Sequence, residues 1–418
     1  MAEASPPPTV LDSIKVLDWT DQGGAYAARL LADLGADVVR VEPVTDEGPW
    51  PQEPVPAPAG TTVSAFERFV NLNKRSLRVN QDTPAGRELL GQLAERADIV
   101  LTAGPAAQAW RQSGPRPGTA TQVNVSAFGG TSGWTSGGTS SGAGTSLLAD
   151  DLVTLAAGGL LSLGGYPDRE PVAVYGSQAY LAGGISAAIA ALLGVLAADA
   201  GQPGADLDVS TQAVMASALE DAAAEFDLTG VVRRRTGDGL REAGTGTFRC
   251  ADGWIVVVAG KLGTAAAWDS LTGWLCDQDV PGAEALKGPE WTDLAYRRRP
   301  ESIAEFQPLM ESATGRLTRA ELYEELQLRR IAAAPVNNVA DLLADPQLAD
   351  RAFFRTVSDP LLGRKLSYPG PPYRLEDHRV PDWTSAPVPG GQTDEVLLDW
   401  LGIEAGRLAA LRADGVIR

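Results

Sequence analysis

Residues Ile14–Glu42 read IKVLDWTDQGGAYAARLLADLGADVVRVE, and the fold class can be argued from this segment alone. Ile14–Trp19 is a short apolar run of strand length, Gly24–Leu34 repeats apolar residues at helical spacing, and Gly35 supplies the stop. Asp37–Glu42 is a second strand. Strand, helix and strand within about 30 residues form a right-handed βαβ unit and hence a parallel sheet. The turn Asp21-Gln22-Gly23-Gly24-Ala25 lacks GxGxxG spacing, so it carries no dinucleotide fingerprint.

The pattern recurs downstream. Leu77–Val79 is a short strand, Pro84–Ala97 a helix opened by proline, and Asp98–Thr102 and Gln122–Phe128 are further strands. Gly129–Gly144 is a Gly/Ser/Thr-rich loop with one tryptophan, read either as a flexible connector or as a mobile lid. A helix over Thr211–Asp227 leads out of this α/β half, and Arg233-Arg234-Arg235 links it to the middle of the chain. Gly246–Cys250 and Trp254–Ala259 pair around the turn Ala251-Asp252-Gly253, with helices at Trp268–Cys276, Pro300–Thr314 and Arg319–Arg329 making a smaller α+β domain. From Ala334 the chain is loop-rich and closes in helices at Asp394–Trp400 and Glu404–Arg412. Boundaries fall at 1–228, 229–333 and 334–418.

At 418 residues the chain exceeds one typical domain, and 44% hydrophobic content supplies material for the cores. A net charge of −18 argues against nucleic-acid and acidic-membrane partners, which need clustered positive charge. Two cysteines, Cys250 and Cys276, make no disulfide framework or structural zinc site and fit a reducing cytoplasm. The N-terminus shows no secretory signal pattern, and the expected protein is soluble and cytoplasmic. A single histidine, His378, excludes histidine dyads and multi-histidine metal sites; it lies in a charged, proline-rich stretch and reads as a surface residue.

The candidate site is organised by Leu147–Ser210. The helix at about Leu181–Ala198 is Ala, Gly, Leu and Ile on every side, so it is expected to be buried all round, with Tyr180 in its first turn and Asp150 and Asp151 upstream. Cys250 reads as a small core residue, and Glu220, Asp221 and Glu225 as a solvated helix face.

IKVLDWTDQGGAYAARLLADLGADVVRVEP, NLNKRSLRVN followed by AERADIVL, FRCADGWIVVVA, APVNNVADLLADPQLADRAFF and TDEVLLDWLGIEAGRLAALRADGVI together resemble the class III CoA-transferases. That family groups formyl-CoA and carnitine CoA-transferases with α-methylacyl-CoA racemases. The resemblance implies a large Rossmann-like domain built from both chain ends, a small domain from the middle, an interlocked homodimer and a coenzyme A thioester as substrate, with no permanently bound cofactor.

It also assigns residues. The family's acylated aspartate precedes a Gly pair, and Ala179-Tyr180-Leu181-Ala182-Gly183-Gly184 puts Tyr180 in its place. A phenol of pKa about 10 is a poorer nucleophile at neutral pH and cannot form the family's mixed anhydride. The racemase His-Asp pair falls on Asp150 and Asp151, counting back from Gly159. A register shift of one or two residues would put Gln178 or Tyr175 at the substrate instead. Gln22 is the nearest match to the glutamine that family transferases place by the thioester. Asn73, Lys74 and Arg75 match the family's basic loop for coenzyme A phosphates, and Phe128-Gly129 its turn after the strand. In place of the family's Asn-rich loop stands Ala103-Gly104-Pro105, and its Gly-Pro is here Gly133-Trp134. Three functions remain open: coenzyme A transfer through a non-standard site, isomerase or lyase chemistry with Asp150 as base and Tyr180 as acid, and a non-catalytic binding protein.

Overall fold

A computed structural model describes residues 8–45, 50, 51, 53–60, 62–113, 118–129, 149–237, 239–259 and 265–418. The chain forms two compact units: residues 1–162, 173–232 and 350–418 in the first, and residues 163–172 and 233–349 in the second. This division differs from the sequence-drawn boundaries in three places, the first being that residues 229–232 stay in the first unit. Residues 163–172 join the second unit, and the chain returns to the first at Asp350 instead of 334.

The first unit begins as expected, with β1 (Lys15–Trp19), α1 (Ala25–Asp33) and β2 (Asp37–Glu42). A small hairpin of β3 (Pro54–Pro56) and β4 (Thr62–Ser64) leads into α2 (Ala65–Val70), where the Ser64 hydroxyl caps the first turn by accepting from Glu67 N. Then come β5 (Arg75–Arg78), α3 (Pro84–Arg96), β6 (Ile99–Ala103), α4 (Gly104–Ser113) and β7 (Thr121–Ser126). Thr83 caps α3 in front of the helix-starting Pro84. The unit continues through α5 (Asp151–Ala157), α6 (Gln178–Asp199), β8 (Asp206–Ser210), α7 (Thr211–Ser217) and α8 (Ala222–Thr229). The single helix expected over Thr211–Asp227 is thus two helices, broken where Glu220 takes a left-handed φ of 52°.

Strands β5-β2-β1-β6-β7-β8 make one parallel sheet. Counted within the sheet this is the doubly wound order 3-2-1-4-5-6. Leu17, Val39, Leu77 and Val100 face a core shared with Leu89 and Leu93 of α3, while Val16, Val38, Leu101 and Val123 face α1 and α6. Gly184 permits the α1–α6 contact: a Cβ there would lie 2.8 Å from Tyr26 Cβ.

By length and composition α6 could cross a membrane, yet its inner face (Ala187, Ala188, Ala191) is buried on the sheet, as in a core helix. The expectation of burial on every side fails on the outer face. Ile185, Ile189, Leu193 and Leu196 are 46%, 54%, 60% and 64% exposed, because no described element of this chain packs over them.

In the second unit, β9 (Thr245–Cys250) and β10 (Gly253–Val258) form the expected hairpin, followed by α9 (Ala265–Asp277), α10 (Leu294–Arg297), α11 (Pro300–Thr314) and α12 (Arg319–Leu328). A third strand, β11 (Ala332–Pro335), pairs antiparallel to β10, and α13 (Val339–Leu343) and α14 (Pro346–Asp350) come next. Its core is aromatic: Trp268 stacks on Trp291, and the Trp274 indole donates to Glu325 at 2.8 Å. Arg235 Nε donates to Tyr166 O, and Arg235 Nη2 to Arg169 O, which holds residues 163–172 to this unit.

The chain then re-enters the first unit with the hairpin β12 (Phe354–Asp359) and β13 (Arg364–Pro369), α15 (Thr393–Leu401) and α16 (Ala405–Ala413). Val396, Leu397, Trp400, Leu408 and Ile417 pack into the core beside β5 and α3. Arg68, buried, donates to Asp359 at 2.8 Å and to the carbonyls of Ala386 and Pro387.

Candidate functional site

The parallel strands aim their C-terminal ends at one edge of the sheet, and the strand order reverses between β1 and β6. Open α/β sheets take ligands in the crevice outside such a reversal. Two turns flank it here: residues 20–24 after β1, and Gly104 after β6.

Asp21 stands on the first turn and is exposed to solvent. Its Oδ1 accepts from Gly23 N at 2.9 Å. Its Oδ2 faces Gly104, where φ is +83° and a Cβ would come within 2.6 Å of that oxygen, so only glycine fits. Although Asp21 is open to water, the protein crowding the crevice floor strips part of its hydration. That loss holds the carboxyl above its ordinary range against the opposing Gly23 N–H.

Tyr180 lies opposite, in the first turn of α6. It is only 9% exposed and packs with Ala25, Phe66 and Val70. A Cβ on Gly23 would lie 3.3 Å from Asp21 Oδ1 and 3.7 Å from Tyr180 Cε1, so carboxylate and ring edge meet over one glycine. Among the described residues the Tyr180 hydroxyl has no hydrogen-bond partner. Loss of water, then the negative charges of Asp21, Asp150 and Asp151, push its pKa up to about 12. At neutral pH it is a phenol and a hydrogen-bond donor.

The two upstream acids work on helix ends. Asp150, exposed, caps α5 by accepting from Val153 N at 2.9 Å. Asp151 Oδ1 accepts from Tyr180 N at 2.9 Å, and it caps α6 from a different helix because Ser177 makes no side-chain cap. Partial burial raises the Asp151 carboxyl, against the N–H groups of Tyr180 and Ala179. Gln22 is half-buried on the β1–α1 turn beside Asp21. Gln178 is exposed and donates to Tyr175 O at 3.0 Å, while Tyr175 turns outward and donates to Glu53.

The basic loop is not the free phosphate contact expected of it. Lys74 is buried, and its amine donates to Asp18 (2.7 Å), Ala25 O (2.8 Å) and Asn71 Oδ1 (2.9 Å), which uses all three donors. Burial lowers its pKa to about 8 despite Asp18. Arg75 is committed to Asp37, Glu395 and Asp399. Asn73, at φ 64°, donates to Asp33 and exchanges hydrogen bonds with the Thr384 backbone. These residues brace the β1–α1 turn from beneath and fasten the C-terminal segment.

Phe128 and Gly129 lie in the turn after β7 at the same sheet edge, with Gly129 N donating to Ser126 Oγ at 3.0 Å. Most of the expected lid, with Gly133 and Trp134, lies among residues 130–148, outside the described residues. His378, Glu220 and Asp221 are exposed, and Cys250 is buried in the second unit. Among the described residues no group of three His, Cys, Asp or Glu is placed to hold a metal.

A doubly wound sheet with a carboxylate and a neutral phenol at its reversal point gives an α/β protein with a candidate small-molecule site there. The chain belongs to CoA-transferase family III, whose profile matches residues 11–393. It is 31% identical over 92% of its length to the succinyl-CoA:(R)-benzylsuccinate CoA-transferase subunit BbsE of Thauera aromatica, covering 93% of that chain. It is 29% identical over 97% of its length to a formyl-CoA:oxalate CoA-transferase of Streptomyces avermitilis, covering 99% of it. A CAIB/BAIF family protein from Brucella suis shares the fold, with a TM-score of 0.77 over 94% of this chain and 100% of that one at 23% identity. The relatives named here are CoA-transferases that use coenzyme A thioesters as substrates, and function at the family level is CoA-transferase-like.

Proposed function

We propose that this protein binds an acyl-CoA thioester at the β1–β6 crevice and transfers coenzyme A to a carboxylic acid through an altered site. The observation that carries this reading is the Tyr180 hydroxyl, held at the crevice without a partner among the described residues and kept protonated by its surroundings. A neutral donor there suits a thioester carbonyl, whose oxygen gains charge when the carbonyl is attacked. Gln22 and Phe128-Gly129 lie along the same edge and complete the contact surface; Gln178 and Asp150 stay peripheral. The names of several relatives carry succinyl-CoA as donor, which makes it the first thioester to test.

Calorimetric titration of the purified chain with coenzyme A and with succinyl-CoA tests the reading. Expected is micromolar binding, about −8 kcal/mol, with Tyr180→Phe weakening succinyl-CoA about fivefold and leaving coenzyme A unchanged, the scale of one neutral hydrogen bond. No binding of either ligand overturns it. Binding with solvent deuterium entering the acyl α-carbon, and no transfer, would instead favour the isomerase or lyase reading.

The exposed stripe Ile185, Ile189, Leu193 and Leu196 supports a second chain on this face, which we take to be a second copy. The Thauera relative is named as a subunit, so a mixed assembly with a sister chain is the result that would replace the homodimer. Two free cysteines support a cytoplasmic setting.

A further inference from the structure

The transferase reading leaves the acyl group without a carboxylate to receive it, because position 180 holds a phenol. Three carboxylates lie near that ring: Asp21, Asp150 and Asp151. Asp151 is committed to the first-turn N–H groups of α6, and Asp150 to the N-cap of α5. Asp21 differs from both. It sits on the turn after β1, at the reversal of strand order, with one oxygen steadied by Gly23 N–H and the other facing Gly104. It is open to solvent and shares Gly23 with the Tyr180 ring edge. The turn beneath it is rigid: Asp18 holds Lys74, and Lys74 in turn holds the carbonyl of Ala25.

We infer that Asp21 is the acyl acceptor, a carboxylate relocated from the start of α6 to the facing turn, with Tyr180 as the donor to the thioester carbonyl oxygen. The inference rests on the transferase reading. An Asp21 carboxylate oxygen attacks the thioester carbon; the C–S bond breaks, coenzyme A leaves as thiolate, and a mixed anhydride forms. The thiolate then attacks the Asp21 carbonyl carbon, releasing the donor acid as carboxylate and leaving an aspartyl-CoA thioester. An acceptor carboxylate reverses the two steps: it displaces coenzyme A to form a second anhydride, and thiolate attack on the acceptor's carbonyl frees Asp21 and the new acyl-CoA. No oxidant, reductant or metal enters the balance. Glycine at 23 and 104 leaves room for these tetrahedral centres beside the carboxylate, which a Cβ at either position would fill.

The test is trapping on the full chain. Wild type, Asp21→Asn and Asp150→Asn are each incubated with succinyl-CoA, quenched with hydroxylamine, digested and sequenced by mass spectrometry, with calorimetric binding of succinyl-CoA measured in parallel. Expected is a hydroxamate on Asp21 in wild type and in Asp150→Asn. Asp21→Asn should lose the adduct and all transfer while binding succinyl-CoA within about threefold of wild type. A hydroxamate on Asp150 or Asp151, or binding without any adduct, overturns the inference and leaves the binding reading intact. Failure to bind both succinyl-CoA and coenzyme A overturns the transferase reading and this inference together. If Asp21→Asn does not fold, the position of the adduct in wild type decides alone.

Discussion

Among single residues, the site turns on protonation. Tyr180 is held as a phenol by loss of water and by three nearby carboxylates, so its folded pKa of about 12 lies above the unfolded value near 10. The folded state therefore binds more protons between those values, and this residue's contribution to stability falls as pH rises from about 10 to about 12. Below pH 10 it is constant, so activity should show no titration from Tyr180 in the physiological range. Ultraviolet difference titration of wild type against Tyr180→Phe should show the missing tyrosine ionising near pH 12; ionisation near 10 would contradict the packing described. Lys74 carries the opposite lesson. Along the chain, Lys74-Arg75 is a basic pair ready for phosphate. In three dimensions Asp18, at the end of the buried strand IKVLDW, needs a cation, and Lys74 supplies it. Lys74→Met should cost roughly 3–5 kcal/mol in denaturant unfolding, because a buried carboxylate would lose its partner. Local pattern carries charge but not direction: nothing beside Lys74 in the chain says whether the amine points in or out.

Among the elements, strands and helices with strong local signals are legible in the sequence. The first βαβ unit, the proline-started α3, strands β6 and β7, and the β9–β10 hairpin all lie close to where apolar spacing and turn residues put them. What stays hidden depends on partners distant in sequence. α6 has no cap of its own, and its first-turn N–H of Tyr180 is met by Asp151, 29 residues earlier. No periodicity encodes that bond. Asp21 is hidden for a similar reason: the turn offers a glycine pair and Gln22 to a reader of sequence, while the weight of Asp21 comes from Gly104 across the crevice. Asp151→Ala should destabilise the protein by about 1 kcal/mol, the cost of a lost N-cap, and lower transfer activity further than that by freeing the first turn of α6 that positions Tyr180. A thermal-melt shift with unchanged activity would mean the cap serves stability alone.

For the assembled chain, the resemblance of the sequence to one family foretells the Rossmann-like sheet and its closure by the C-terminal residues, which no composition argument reaches. The uniform apolar character of α6 is visible in the sequence; its exposed outer stripe is not, because burial by a second chain and burial within one chain leave the same residues. Leu193→Glu places charge in that stripe. Sedimentation should show wild type at twice the chain mass of 43.7 kDa and the variant shifted to a single chain. A wild type that sediments as a single chain would remove the homodimer.

The C-terminal closure of the sheet also constrains how the protein is made. Arg78 N on the edge strand β5 donates to Thr393 Oγ1, 315 residues further on. A ribosome adding about 5–20 residues per second needs roughly 15–60 s to cover that distance. Through that interval the nascent chain carries an edge strand with free backbone groups and the sheet face that Val396, Leu397 and Trp400 later cover. The second unit is complete in sequence before the first can close, so the order of synthesis makes the middle of the chain the first part able to finish folding.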